Sequence, residues 1–163
     1  MKYCLFLISF FFCSCVNEEK KALDQLFILQ RKLMQVEDAV SNRALAIEVL
    51  ETYNSFLEAY PDSENNPEIL YNVGQVFMGL GNNSKALDSF YLVHSKFPKS
   101  SWAPLAFFQQ ASCFESLNQR LTAKKTYEEF VERYPNHPYI FQANELIKLL
   151  YLTDEELINQ FEN

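Results

Sequence analysis

Residues 67–100 read PEILYNVGQVFMGLGNNSKALDSFYLVHSKFPKS. Leu70, Val73, Phe77 and Leu80 recur three or four residues apart, the spacing of one helix face. Gly81-Asn82-Asn83 breaks the pattern, and Gly81 suits the left-handed position just past a helix end. Ala86, Leu87, Phe90 and Val93 then resume the same spacing up to Phe97-Pro98. The stretch therefore predicts two helices joined by a tight turn. Asn66 is the expected N-cap of the first, with Pro67 at the first helical position, where a missing N–H costs nothing.

The ending of this stretch is written three times. Tyr53, Phe56 and Tyr60-Pro61 return as Phe90, Val93 and Phe97-Pro98, and again as Tyr127, Phe130 and Tyr134-Pro135, each copy 37 residues after the last. Pro104 likewise follows Pro67 by 37 residues. A period in this range marks stacked helical hairpins. Small residues also recur, at Gly74 and Ala111 and at Ala86 and Ala123, beside Phe77 and Phe114 and beside Phe90 and Tyr127. Alternation of small and large side chains lets neighbouring helices interdigitate.

Outward from this centre the pattern loosens. A first helix is expected over Ala22 to Val40, carrying Leu23, Leu26, Phe27 and Leu33, and a second over Ala44 to Tyr60. The third unit runs from Pro104 through Phe107, Phe108, Ala111 and Phe114, turns at Asn118-Gln119, and returns through Ala123. A fourth start follows Pro138. Thr153 or Asp154 then caps a short helix with Leu157, Ile158 and Phe161, the closing element that a repeat array needs.

The pattern Leu70, Val73-Gly74, Phe77, Gly81, Ala86, Phe90, Val93, Pro98 resembles the tetratricopeptide repeat (TPR) family, and Phe107, Ala111, Phe114, Asn118, Ala123, Tyr127, Phe130, Pro135 repeats it. The second copy departs at Gln110, where the family prefers an apolar residue. The resemblance implies an all-α, TPR-like right-handed helical-hairpin solenoid. Its units are expected at about 30–66, 67–103 and 104–137, with capping helices over 138–163. It also implies a protein or peptide partner, because such arrays hold partners. In this family the first helix of each unit lines the concave surface. Tyr71, Gln75, Phe108, Gln109 and Ser112 are therefore the expected peptide groove. Packing between repeats is the alternative role for Phe108, and a hydrophobic staple is the reading of Trp102.

The N-terminus carries a separate signal. Met1-Lys2 is a short positive region, Tyr3 to Phe12 is apolar but for Ser9, and a polar run begins at Asn17. A ten-residue stretch of this kind fits a secretory signal better than a membrane span. Ser14-Cys15 resembles a bacterial lipobox, with Cys15 as the acylated residue. An ordinary signal or a short buried helix is the alternative. On the lipoprotein reading, residues 1–14 are a signal peptide, 15–21 a tether and 22–163 the repeat domain. The Tyr/Phe-Pro-x-Ser endings resemble repeats of bacterial envelope lipoproteins. That likeness implies an outer-membrane, lipid-anchored protein facing the periplasm or the cell surface, with an envelope protein or peptide as its partner.

Chemistry finds little purchase. The formal net charge is −7, so the basic footprint of nucleic-acid binding is missing. His94 and His137 stand in no metal-ligand spacing, and no phosphate-binding or nucleophile-elbow motif occurs. Cys113 lies in an apolar run and reads as a buried, inert thiol. No cofactor, metal or catalytic residue is expected, and the chain reads as a non-enzyme.

Overall fold

A computed structural model describes residues 4–36 and 42–152. Among them the chain is all-α, without a strand. Its seven helices are α1 (Cys4–Met34), α2 (Arg43–Ala59), α3 (Asn66–Gly79), α4 (Asn83–Lys96), α5 (Trp102–Ser116), α6 (Arg120–Arg133) and α7 (Ile140–Tyr151). They fall into two units, Met1–Asn66 and Pro67–Asn163. The expected short helix after Thr153 lies outside the described residues, as do the side chains of residues 4–17.

In the first unit α1 packs on α2. Residues 15–21, expected as a tether, are helical within α1. Good helix formers and a Lys21–Glu18 pair at 2.8 Å on one face support this. Leu26 and Leu33 of α1 are buried, as are Ala46, Val49, Tyr53 and Phe56 of α2. Glu19 accepts a hydrogen bond from the Ser63 hydroxyl, tying α1 to the turn after α2. Asn66 does not cap α3 as expected. Its Nδ2 donates instead to the carbonyls of Tyr60 and Pro61, both at 2.9 Å, which braces the turn behind it.

The second unit is a nearest-neighbour stack. Phe90 of α4 lies against Gly74 of α3, and α4, α5, α6 and α7 each pack on the next. The 37-residue period is visible in its backbone. Gly81 has φ of 73° and Asn118, its equivalent, 59°. Asparagine is the non-glycine residue that best tolerates this region. Both turns close with the same bonds: Asn82 N–H to the Phe77 carbonyl and Gln119 N–H to that of Phe114, each at 2.8 Å.

The Tyr/Phe-Pro turns also repeat. Tyr60, Phe97 and Tyr134 end their helices at φ of −130°, −125° and −126°. Each donates its N–H to the carbonyl four residues back, at 2.9, 3.0 and 2.9 Å. The proline that follows disfavours helical backbone at each of these residues. The N–H groups of Ser63, Ser100 and His137 donate to those three C-cap carbonyls in turn, and those of Asn66, Ala103 and Ile140 donate to the carbonyls of Ser63, Ser100 and His137. The same turn thus starts α3, α5 and α7. Tyr53, Phe90 and Tyr127 are all fully buried, as the period requires.

Candidate partner-binding face

The structure divides the five expected groove residues. Tyr71 of α3 is half-buried, with its ring 5.4 Å from Phe90 and 5.0 Å from Trp102. Phe108 of α5 sits 5.2 Å from Tyr127 and 5.1 Å from Tyr139. These are one arrangement shifted by 37 residues: a first-helix aromatic wedged between the aromatic of its own second helix and the residue that opens the next unit. Phe108 is 4% exposed and also meets Phe130 at 5.4 Å. Its side chain therefore fills the core between hairpins and does not line an open groove. The difference from Tyr71 is the hydroxyl, which carries a polar tip out of the same slot.

That tip gathers two more expected residues. The Tyr71 hydroxyl faces the side chains of Gln109 on α5 and Gln75 on α3, and the Gln75 Nε2 is buried without a hydrogen-bond partner. Burial raises the Tyr71 pKa, and the Gln109 and Gln75 side chains oppose the rise. Tyr71, Gln75 and Gln109 are thus brought together across two helices. Ser112 belongs elsewhere: its side chain faces the Tyr127 hydroxyl, beside Glu115. Burial is also the main reason the Tyr127 pKa is raised.

Asn72 and Tyr139 were not singled out from sequence, and Trp102 was read there only as a staple. Asn72, beside Tyr71, has a buried Nδ2 without a hydrogen-bond partner. Trp102 opens α5 and packs at a tilt against Tyr71 rather than acting as a staple alone. Tyr139 lies near enough to bear electrostatically on Tyr71. A buried, unpaired amide is costly, so Asn72 is suited to a ligand that brings an acceptor. Neither a lone Asn nor a Trp before a proline announces this in a sequence.

Gln110 explains its own departure from the family pattern. It is buried, and its Nε2 donates to the Phe90 carbonyl at 3.3 Å, a polar tie between α5 and α4 where an apolar residue would only pack. Cys113 is buried, and burial pushes its thiol up to about 11, which suppresses the thiolate. Among the described residues no group of three or more His, Cys, Asp or Glu could hold a metal ion.

The two histidines serve the packing. His94 stacks on Phe107 at 4.4 Å and 13°. Burial lowers its pKa, the Arg133 charge lowers it further, and Glu129 opposes. His137 sits edge-on to Phe130 and Tyr139, and burial lowers its pKa too. The fold therefore favours neutral imidazoles, while the unfolded chain binds protons from about pH 6.5 downward. Stability should be unaffected by these groups above that value and should fall as pH drops below it. Thermal unfolding at pH 7.5 and 5.5 checks this: His94→Gln should show a smaller loss between the two than the parent chain.

Residues 105–137, which span α5, α6 and the turn between them, match the family model described as "Tetratricopeptide repeat". The serine/threonine-protein kinase PknD of Protochlamydia amoebophila (strain UWE25) is 28% identical over 108 residues, covering 61% of this chain and 11% of the kinase. The chain thus spans about a tenth of that relative's length. The matched hairpin and its 37-residue repetition define an all-α, TPR-like array, a kind of fold that holds protein partners. Among the described residues no helix is long and apolar enough to cross a membrane.

Proposed function

We propose that this chain is a lipid-anchored scaffold of a bacterial envelope, attached through Cys15 and holding a protein or peptide partner on the face built by Tyr71, Asn72, Gln75 and Gln109. The convergence of three polar tips on two successive first helices carries the reading: they sit on aromatic packing that fixes them, so little ordering cost attends binding. The partner offers hydrogen-bond acceptors and donors to this cluster and an apolar surface to the Tyr71 edge. Two or three acyl chains at Cys15 would anchor the chain stably, since each buried CH₂ contributes about 0.8 kcal/mol and one chain alone is marginal. The lipobox-like Ser14-Cys15 supports residence in the outer membrane, facing the periplasm or the cell surface.

Cys15→Ser tests the anchor. Metabolic acyl labelling and membrane fractionation should show loss of lipid and release from the membrane; labelling that persists in the variant contradicts it. Crosslinking in intact cells tests the face. Tyr71→Ala combined with Gln109→Ala should weaken partner capture by about tenfold or more, as expected for central contact residues. Recovery of crosslinked copies of this chain alone would favour a structural homo-oligomer instead. The kinase match leaves a second reading, a non-catalytic subunit of an envelope enzyme complex, which the identity of the captured protein would reveal.

A further inference from the structure

We propose that α7 is a strap held shut by a polar latch on α6, and that releasing the latch uncovers the apolar end formed by Phe108, Tyr127 and Phe130. Arg120, Lys124 and Glu128 stand four residues apart along one face of α6, and all three reach the last turn of α7. Arg120 donates through Nε to the Leu150 carbonyl at 3.3 Å and through Nη2 to those of Leu149, at 2.9 Å, and Leu152. Carbonyls at this end of a helix lack their full set of helical partners and carry its negative dipole end, so a guanidinium there satisfies both needs, with Leu149 also accepting the Leu152 N–H at 3.3 Å. Lys124 places Nζ 3.8 Å over the Tyr151 ring and pairs with Glu128 at 3.4 Å. Glu128 in turn accepts a hydrogen bond from the Tyr151 hydroxyl at 3.0 Å.

The apolar hold on α7 is thinner. Ala143 is its one buried residue, whereas α5 buries six apolar residues and Gln110. Ile140, Leu146, Ile147 and Leu150 are partly buried against the core that holds Phe108, Tyr127 and Phe130. Phe141 and Tyr151 are largely exposed. Much of the docking therefore depends on polar contacts gathered at one end. An element with few buried apolar contacts opens at lower free energy than the whole fold, and loss of its fastening lowers that cost further. Opening turns the face that α7 covers into a free apolar surface, equivalent to the one on which each earlier hairpin receives its neighbour.

Hydrogen exchange on the full chain, read by peptide mass spectrometry, tests the latch. Arg120→Ala should speed exchange of α7 amides by roughly tenfold or more, from the loss of charged hydrogen bonds, while α3, α4 and α5 keep their rates. Tyr151→Phe keeps the ring under Lys124 and removes one bond, so it should speed α7 by less. Equal acceleration of all helices, or none in α7, overturns the proposal. A second measurement guards against general loosening. In Ala143→Cys, the new thiol reports opening of α7, and buried Cys113 serves as the reference. Adding Arg120→Ala should raise labelling at position 143 and leave Cys113 unchanged; a parallel rise at both overturns the proposal.

Discussion

Phe90→Ala should be the most damaging single change at the centre of the array, costing about 3–5 kcal/mol of stability. Phe90 is 0% exposed. Its ring meets Gly74 and Tyr71 of α3, and its cluster includes Ala106 and Cys113 of α5. Truncation removes a side chain that joins three helices, and the neighbours are too constrained by their own turns to close the cavity. Urea unfolding of parent and variant at the same pH measures the effect. A cost near 1 kcal/mol would mean the ring is not buried between helices as described. The same argument applies to Tyr127, whose ring is wedged against Phe108 of its own hairpin.

The second large effect is expected at Gly74, from the opposite cause. A Cβ built at Gly74 would lie 2.5 Å from Cε1 of the Phe90 ring, closer than real Cβ contacts come. Alanine would gain about 1 kcal/mol of helix propensity over glycine. The clash works against this, because Phe90 is enclosed and has no room to retreat. Gly74→Val adds two more methyl groups and β-branching, and should cost about 3 kcal/mol or more through overpacking. The decisive measurement is a cycle with Phe90→Leu. The smaller side chain should recover part of the loss, giving a coupling of about 1 kcal/mol or more between the two positions. Additive losses would mean that the residues are not in contact.

Much of this fold was legible because its punctuation is chemical. Proline after Tyr60, Phe97 and Tyr134 ends a helix wherever it stands, and Gly81 can take the left-handed position that Asn118 also reaches. Periodicity then makes positions 53, 90 and 127 equivalent. It does not say which way a side chain at a helix flank leans. Tyr71 and Phe108 are equivalent by the shift and occupy equivalent slots, yet only Tyr71 has a polar tip to offer a partner. Gln110 was legible as a departure from the family pattern but not as a bond to the Phe90 carbonyl, since that depends on the approach of two helices distant in sequence. Asn66 was read as a cap because Asn before Pro commonly is one. The preceding turn offered two carbonyls at closer reach, and its amide went to those. The latch of Arg120 on α7 joins residues some thirty positions apart, and no local pattern encodes it.

Hydroxyl-radical footprinting of the native chain tests the central claim most directly. Tyr53, Phe90 and Tyr127 should all be protected, while Tyr91, exposed on α4, reacts freely in the same molecule. Modification of any of the three at a rate close to that of Tyr91 would contradict the 37-residue register on which the fold and the partner-binding face are built.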